Sequence, residues 1–316
     1  MRYFDADAIR EHLTWPRMLA ALDAMLRDDV AAPLRTHHAI DVPGEPAASL
    51  LLMPAWRTAR RLGVKLVTVF PGNAQRGQNA VGAVYALFDA ANGLPLALFD
   101  GEEITARRTA GASAYAAAKL ARADAKHHVV VGSGRIARQL AHAYASIRPV
   151  ERVSVWSRTA EHARAAAERL RRNGINASAV EHLEPAVRDA DIVSCATLST
   201  EPIVRGDWLP AGVHLDLVGA FRADMRETDD VAIKRADLIV VDRRESALRE
   251  GGDIVQAVKS GAVTEAAIAA ELADFARGAH AGRNDAGQIT LFKSVGFALE
   301  DLAAAEAVYD ATARSV

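Results

Sequence analysis

The chain has 316 residues, half of them hydrophobic and a quarter charged, which is typical of a folded protein of about two domains and excludes disorder as its main state. Its net charge is −2 and its longest stretch without a charged residue runs only from Gly77 to Phe88, so we expect neither a nucleic-acid surface nor a membrane-spanning helix. The single cysteine, Cys195, excludes an intramolecular disulfide and a multi-cysteine metal site. The first residues lack the pattern of a signal peptide, so we expect a cytoplasmic protein that binds no metal.

The first hundred residues predict an antiparallel sheet with helices. A helix is expected to start near Thr14, because apolar residues recur at helical spacing as far as Met25. Apolar runs predict strands at residues 49–53, 64–70, 84–88 and 94–99. The Asn92-Gly93 pair between the last two runs predicts a hairpin, since both residues tolerate the left-handed turn conformation.

The rest of the chain changes pattern after a long alanine-rich helix, predicted from Thr105 to Ala121. Strands are predicted at residues 127–131, 153–156, 191–193, 213–218 and 238–241, and they alternate with helices. This alternation predicts an α/β fold with a parallel, doubly wound sheet of the Rossmann type. A last helix is expected to open within residues 291–299, with an apolar face for the first region.

A glycine-rich turn follows the first of these strands and opens a helix. Its sequence, Gly132-Ser133-Gly134-Arg135-Ile136-Ala137, fits the pattern G-x-G-x-x-A of dinucleotide-binding proteins. The first glycine permits the tight turn, the second lets a pyrophosphate approach the backbone, and the alanine permits close packing of helix on strand. We therefore predict that these six residues bind a nicotinamide dinucleotide.

The end of the second strand bears on the choice of dinucleotide. An NAD site usually has an acidic residue here for the ribose 2′-hydroxyl, and residues 156–159 contain none. Ser157, Arg158 and Thr159 are instead suited to a 2′-phosphate, with Arg158 supplying the charge. We predict a preference for NADP(H), with NAD(H) still possible.

Cations in the first region point to an anionic substrate. Arg35 precedes a strand, Lys65 lies within one among apolar neighbours, and Arg108 is expected near the start of the long helix, where a bound anion would relieve its unfavourable position. A half-exposed strand lysine would explain Lys65 equally well. Structural roles are the simpler explanation for two histidine pairs, His37-His38 and His127-His128, and for His214. Cys195 is explained more simply as a small buried residue. Lys293 and Ser294 either begin a helix or face the nicotinamide.

Several segments together resemble the ornithine cyclodeaminase/mu-crystallin family over nearly the whole chain. The segments are the glycine motif and residues 100–110, 200–203, 218–227 and 292–296. The resemblance implies a homodimer, with residues 1–120 and 292–316 as the substrate-binding and dimerisation domain and residues 121–291 as the Rossmann domain. It also implies that Arg35, Lys65 and Arg108 hold the substrate carboxylate with Thr109 beside them, and that Val218 and Gly219 contact the cofactor.

One departure from the family distinguishes between its activities. Phe221 stands where cyclodeaminases have an aspartate that handles the substrate amine, and phenylalanine cannot accept a proton. The sequence therefore favours a reductase of carboxylated cyclic ketimines, 1-pyrroline-2-carboxylate to L-proline or the six-membered homologue to L-pipecolate, with Lys65 and Arg108 as the catalytic residues. An alanine-type amino-acid dehydrogenase, an ornithine cyclodeaminase and a non-catalytic NADPH-dependent binding protein remain alternatives, and the proton donor stays open.

Overall fold

The computed structural model describes residues 1–313 and separates into two compact units. Unit 1 consists of Met1–Arg108 with Phe297–Val316, and unit 2 is Thr109–Gly296. The predicted domain limits lie at residues 120 and 291, and the assignment of a role to each domain stays a prediction.

The strands of the two units form two separate sheets. The bounds of the strands are β1 (Arg2–Phe4), β2 (Thr36–Ile40), β3 (Ala48–Arg57), β4 (Arg61–Val69), β5 (Val81–Asp89), β6 (Pro95–Asp100), β7 (His127–Val131), β8 (Arg152–Trp156), β9 (Ala177–Ala179), β10 (Ile192–Cys195), β11 (His214–Leu217), β12 (Leu238–Val241), β13 (Ile268–Glu271) and β14 (Thr290–Lys293). The α-helices are α1 (Ala6–His12), α2 (Trp15–Arg27), α3 (Gly101–Leu120), α4 (Arg135–Ala145), α5 (Ala160–Arg172), α6 (Leu183–Arg188), α7 (Asp230–Arg235), α8 (Arg244–Glu250), α9 (Gly252–Lys259), α10 (Leu272–Ala276) and α11 (Ala298–Ala313).

The sheet of unit 1 has six strands in the order β1-β6-β5-β4-β3-β2. Strands β2 to β6 pair antiparallel, as predicted, and β1 adds a short parallel edge to β6. The predicted hairpin joins β5 to β6, and Gly93 adopts the positive φ of 78° that its turn requires. Helix α11 packs on α2 and on the strands β3, β4 and β5, so it closes the core of this unit.

The sheet of unit 2 has eight parallel strands in the order β13-β12-β14-β11-β10-β7-β8-β9. Successive residues of β7 belong to two different apolar clusters, Val129 and Val131 to one and Val130 to the other, so both faces of the sheet are covered. The strand order reverses between β7 and β10, and ligands of doubly wound sheets bind at such a reversal, beyond the carboxyl ends of the strands.

One predicted helix start is wrong, and the last helix opens at Ala298, inside the predicted segment 291–299, whose first residues form a strand. Helix α3 begins at Gly101 instead of Thr105, because Asp100 at the end of β6 accepts a hydrogen bond from the backbone N–H of Glu103, 2.8 Å away. Residues 290–293 do not belong to the last helix, because they form the strand β14 between β11 and β12. A short apolar run does not distinguish a buried strand from a helix by its periodicity.

Candidate dinucleotide and anion sites

The glycine turn of unit 2 lies between β7 and α4, as its sequence predicts. Gly132 has a φ of 127°, and a Cβ atom at this position would lie 2.6 Å from the carbonyl oxygen of Ala196, just beyond β10. The turn therefore needs glycine for its backbone conformation and for the close approach of the neighbouring segment. The methyl group of Ala137 lies 3.6 Å from the same added Cβ, so a larger residue would crowd the turn.

The start of α4 has the properties of a phosphate site. Gly134 is the N-cap residue and offers no side chain to the N–H groups of the first turn, and no acidic residue lies in that turn. A Cβ atom added to Gly134 would meet nothing within 4 Å, so the space above the turn is open. Exposed N–H groups at the positive end of a helix bind phosphate, and these residues fit a dinucleotide.

The end of β8 contacts the same turn. The hydroxyl oxygens of Ser133 and Ser157 lie 3.3 Å apart, so the structure brings these two predicted residues together. Arg158 and Thr159 follow at the surface, and Thr159 is the N-cap of α5 without a side-chain hydrogen bond to it. No carboxylate occurs between Trp156 and Thr159 that would repel a 2′-phosphate.

The segment after β11 approaches the segment after β10 closely. Val218 and Gly219 are buried, and a Cβ atom on Gly219 would lie 2.0 Å from the carbonyl oxygen of Thr197. The Glu227 carboxylate joins the two segments, because it accepts the Gly219 N–H at 2.7 Å and the Thr197 N–H at 2.6 Å. Phe221 follows with 39% of its surface exposed.

A buried network that the sequence reasoning missed supports these two segments, and we call Thr197, Gly219, Glu227, Asp253 and Lys293 the Glu227 network. Asp253 accepts the backbone N–H of Glu227 at 2.8 Å and pairs with the Lys293 ammonium at 3.1 Å. Burial raises the pKa of Glu227 to about 7, although the positive charge of Lys293 acts in the opposite direction. Lys293 therefore lies on the strand β14 and pairs with a carboxylate, instead of beginning a helix.

The predicted cations of unit 1 lie together with two carboxylates of α11, and we call Arg35, Lys65, Arg108, Glu300 and Asp301 the cation cluster. One oxygen of Asp301 accepts hydrogen bonds from Lys65 Nζ at 2.9 Å and from Arg108 Nε at 3.0 Å. Glu300 accepts a further hydrogen bond from Arg108 at 2.6 Å. Arg35 lies half-buried just before β2, near enough for its charge to act on Lys65.

Burial decides how Lys65 ionises. The side chain is only 2% exposed, so it is not the half-exposed strand lysine that the sequence also allowed. Burial and the charges of Arg108 and Arg35 lower the pKa of Lys65, Asp301 opposes the shift, and the resulting pKa is about 8. Lys65 therefore keeps its proton at neutral pH and loses it within a range that enzymes use.

The expected position of Arg108 is wrong. Because α3 begins at Gly101, Arg108 lies in the third turn and is not destabilised by the positive end of the helix. Arg108 is 5% exposed and is held by the two carboxylates of α11. Thr109, the next residue of α3, is also buried.

The remaining sequence candidates are structural. His128 bonds Ser194 at 2.9 Å and His214 bonds Thr290 at 3.0 Å, and burial lowers the pKa of each imidazole to about 3. Cys195 is buried at the end of β10. Among residues 1–313, no three His, Cys, Asp or Glu side chains are arranged to hold a metal ion. In the same residues, no helix has the length and apolar character needed to span a membrane.

Comparison with known proteins identifies the family. The model of the ornithine cyclodeaminase/mu-crystallin family matches residues 11–315. The chain belongs to this family. It is 40% identical over 262 residues to the Delta(1)-pyrroline-2-carboxylate reductase of Paracoccus denitrificans, and the match covers 82% of each chain.

Solved structures of the family share the complete fold. The Thermococcus litoralis Delta(1)-pyrroline-2-carboxylate reductase, in complex with NADH and L-proline, has a TM-score of 0.92 and 33% identity, covering 100% of this chain and 98% of that one. A dimeric archaeal alanine dehydrogenase with bound NAD has a TM-score of 0.90 and 26% identity, covering 100% and 97%. These relatives confirm the predicted family, the α/β fold class and the prediction of an oxidoreductase.

Proposed function

We propose that the chain reduces cyclic imines that carry a carboxylate, with a nicotinamide dinucleotide as the hydride donor. 1-Pyrroline-2-carboxylate, reduced to L-proline, is the favoured substrate, and 1-piperideine-2-carboxylate is its six-membered alternative. The observation that carries the proposal is the cation cluster, in which Lys65 and Arg108 lie buried on one carboxylate oxygen. The names of the Paracoccus and Thermococcus relatives support the same substrate.

The dinucleotide, when bound, supplies the hydride. Its pyrophosphate is held by the N–H groups at the start of α4, beside Gly132 and Gly134, where the backbone leaves open space. Val218 and Gly219 contact the cofactor, and the Glu227 carboxylate keeps that segment in place through the Gly219 N–H. These residues bind and orient the cofactor and undergo no chemical change themselves.

The substrate carboxylate is bound by Lys65, Arg108 and Arg35. Reduction of a C=N bond adds a hydride to carbon and needs one proton on nitrogen. Arginine does not release a proton in this range, so Lys65, with its pKa lowered to about 8 by burial, is the proton donor that we propose for an imine that enters unprotonated. The cluster accordingly orients the imine and completes its proton balance.

We also propose a preference for NADP(H) over NAD(H). Its support is the exposed Arg158, which follows Ser157 at the glycine turn without an acidic neighbour. Arg158→Ala is expected to lower the ratio of kcat/KM for NADPH over NADH by about tenfold or more, because a guanidinium–phosphate pair is lost. Arg164→Ala, on the exposed face of α5, is the matched control and leaves the ratio unchanged. If the ratio falls equally in both variants, Arg158 does not bind the 2′-phosphate.

A homodimer is part of the proposal, supported by the dimeric archaeal alanine dehydrogenase of the same fold. Light scattering of the purified protein measures its mass in solution. A mass of one chain at working concentrations contradicts the dimer and leaves the proposed chemistry unaffected.

The deciding experiment follows the absorbance of NADPH, and of NADH in parallel, with purified protein and 1-pyrroline-2-carboxylate. Rapid oxidation with formation of L-proline is the expected result. Cofactor binding without oxidation would reject the reductase, and alanine or ornithine with the oxidised cofactors would then test for a dehydrogenase or cyclodeaminase. Phe221 argues against the cyclodeaminase, because its side chain cannot accept a proton.

A further inference from the structure

One buried carboxylate joins the ends of two neighbouring strands in unit 2. Glu227 Oε1 accepts the backbone N–H of Thr197 at 2.6 Å and the hydroxyl of the same residue at 2.9 Å, just beyond β10. Glu227 Oε2 accepts the backbone N–H of Gly219 at 2.7 Å, just beyond β11. Both oxygens of the carboxylate therefore face donors at the carboxyl ends of these strands.

The backbone of Glu227 is itself fixed by its neighbours. Asp253 of α9 accepts the N–H groups of Glu227 and Thr228 at 2.8 and 3.0 Å. The carbonyl oxygen of Glu227 accepts the N–H groups of residues 203–204. Asp253 pairs in turn with Lys293 of β14, 3.1 Å away. Because its own backbone is held in this way, the Glu227 side chain sets the separation of the two strand ends.

The segment after β10 lies against both glycine positions of the proposed cofactor site. A Cβ atom on Gly219 would lie 2.0 Å from the carbonyl oxygen of Thr197, and one on Gly132 would lie 2.6 Å from that of Ala196. Neither approach leaves spare room, so a displacement of this segment changes the position of the glycine turn relative to Gly219. Ligands of doubly wound sheets bind at this edge, beyond the carboxyl ends of the strands.

Protonation of Glu227 conflicts with this arrangement. An ionised carboxylate only accepts hydrogen bonds, whereas a carboxylic acid carries a hydrogen on one of its oxygens. Because donors face both oxygens, that hydrogen opposes either the donors of Thr197 or the N–H of Gly219, and one strand end loses its partner. Burial raises the pKa of Glu227 to about 7, so both forms occur near neutral pH.

Four ionisable side chains lie around Glu227. The charge of Asp253 raises the pKa of Glu227 and the charge of Lys293 lowers it. Asp216 of β11 acts with Glu227 on the buried thiol of Cys195, which stays neutral because burial raises its pKa well above the ordinary value. Burial also raises the pKa of Asp216, to about 6, so an experiment on Glu227 has to separate the two carboxylates.

We infer that Glu227 is a positioning residue for the nicotinamide dinucleotide: the cofactor binds the form of the protein in which the ionised carboxylate holds both strand ends, and binding releases a proton to the solvent. The inference rests on the proposed function, because it takes Val218 and Gly219 as part of the cofactor site. If the ionised form binds about tenfold more tightly, cofactor binding lowers the pKa of Glu227 by about one unit. Affinity then falls with the pH below 7, whereas a merely structural role would leave it unchanged.

The test compares wild type with Glu227→Gln by calorimetric titration with NADP⁺ at pH 6 and pH 8. Glutamine keeps the size of the side chain but presents an amide N–H₂ group to one set of donors, as the protonated acid does. The dissociation constant of Glu227→Gln is expected to exceed that of wild type about tenfold at pH 8 and by no more than about twofold at pH 6.

Proton release gives a second measurement on the same two proteins. Titrations at pH 6.5 in buffers of different ionisation enthalpy count the protons released on binding, and wild type is expected to release about half a proton more than Glu227→Gln. The cofactor's 2′-phosphate also titrates, at a pH of about 6. This phosphate and Asp216 are present in both titrations, so the difference between the two proteins reports Glu227.

Asp191→Asn is the matched control, because Asp191 joins neighbouring strands at the opposite edge of the same sheet. It precedes β10 and accepts the backbone N–H groups of Lys126 and His127 at 2.7 and 2.9 Å, at the start of β7. Its dissociation constant for NADP⁺ is expected to stay within about twofold of wild type at both pH values.

Three results would overturn the role of Glu227. They are a weakening in Glu227→Gln that is equal at pH 6 and pH 8, the same pH-dependent weakening in Asp191→Asn, and tighter binding by Glu227→Gln at pH 8. The last would mean that repulsion between the carboxylate and the negative charges of the cofactor outweighs positioning.

Thr197→Val decides the question if Glu227→Gln does not fold. It removes the hydroxyl donor to Glu227 and keeps the backbone N–H, so the ionised carboxylate is less favoured. The pH at which half of the affinity gain is lost should rise by about half a unit relative to wild type. An unchanged midpoint would overturn the inference.

The outcomes separate the inference from the proposed reaction. If NADP⁺ binding follows the expected pH dependence but the imine does not oxidise NADPH, the role of Glu227 holds and the reaction fails. If the imine oxidises NADPH but the two proteins differ equally at both pH values, the reaction holds and the role of Glu227 fails.

Discussion

Each unit of the molecule contains a buried lysine that pairs with an aspartate, and the two pairs differ in the charged residue beside them. In unit 1, Lys65 pairs with Asp301 at 2.9 Å and has Arg108 beside it. In unit 2, Lys293 pairs with Asp253 at 3.1 Å and has a second carboxylate, Glu227, beside it. In the first cluster, the buried cations Lys65 and Arg108 pair with two carboxylates of α11. In the second, a single lysine faces two carboxylates when Glu227 is ionised.

The difference shows that a buried ion pair alone does not indicate a binding site. In unit 1, a second cation, Arg108, lies beside the lysine, which suits the substrate carboxylate that we propose for this cluster. In unit 2, the backbone N–H groups of Thr197 and Gly219 donate hydrogen bonds to the second carboxylate, Glu227. Because the pKa of Glu227 is raised to about 7, a proton neutralises this carboxylate at lower pH. The charged neighbour of each lysine–aspartate pair therefore distinguishes the two clusters: a second cation in the proposed substrate site, and a second carboxylate in the network that supports the backbone.

The largest expected effect is on activity, from Lys65→Met. Loss of the ammonium group removes a carboxylate partner and the proposed proton donor, so kcat/KM is expected to fall about 100-fold or more. The dissociation constant of NADPH stays within about twofold, because the glycine turn is unaffected. Steady-state kinetics and cofactor titration measure the two quantities, with Lys126→Met, an exposed lysine paired with Glu151, as the control. Parallel loss of NADPH binding in Lys65→Met would contradict the assignment to the substrate.

The corresponding substitution in unit 2, Lys293→Met, is expected to lower the stability of the protein. Lys293→Met leaves Asp253 and Glu227 buried without a cation, at a cost of about 3–5 kcal/mol in the free energy of unfolding. Lys65→Met costs less, because Asp301 keeps its hydrogen bond from Arg108. Urea unfolding of both variants at pH 8 makes the comparison. Equal losses would mean that the second carboxylate does not distinguish the two clusters.

A smaller effect concerns the pH dependence of stability. The folded state holds the Glu227 proton up to a pH of about 7, the raised pKa, whereas the unfolded state loses it near 4.5. Ionisation therefore penalises the folded wild type progressively as the pH rises between these values. Glu227→Gln has no such penalty, so its free energy of unfolding relative to wild type should improve by about 2 kcal/mol between pH 5 and pH 8. If the difference in free energy of unfolding between Glu227→Gln and wild type is equal at both pH values, the pKa of Glu227 is not raised in the folded state.

The smallest effect lies on the alkaline side of the activity profile. Lys65 must be protonated to bind a carboxylate, and burial lowers its pKa to about 8, so kcat/KM should fall about tenfold per pH unit above that value. Lys65→Arg keeps its charge throughout the range, and any activity it retains should lack this fall. If the fall persists unchanged in Lys65→Arg, another group causes it.

Much of the fold was predictable from local patterns. The apolar runs of β7 and β12 are continuous because parallel strands are buried on both faces, and the Asn92-Gly93 turn has a specific backbone requirement. The strand β14 was misassigned because its four residues find their partners only in β11 and β12, which are distant in sequence. The short edge strands β1 and β2 have too few buried residues to produce a pattern.

The two candidate sites also differ in how much of each could be predicted from local sequence patterns. The glycine turn is a local motif, so its residues and its position after a strand were predicted together. The partners of Lys65 and Arg108 were not, because Glu300 and Asp301 lie between 192 and 236 positions further along the chain. A signal for them exists in the sequence: two adjacent carboxylates lie between apolar residues at the start of an alanine-rich helix, and such residues need buried partners.

The division of unit 1 into two segments has a consequence for how the chain folds. Lys65 and Asp301 are separated by 236 positions, and the whole of unit 2 lies between the two segments. Contacts of such separation form late, because a long loop must close first, whereas unit 2 is continuous in sequence. The cations of unit 1 stay hydrated until α11 docks, so the interior of this unit is the last to become dry. In pulse-labelled hydrogen exchange during refolding, amides of β7 and β10 should accordingly gain protection before those of β4 and β5, and simultaneous protection would show that the two units fold together.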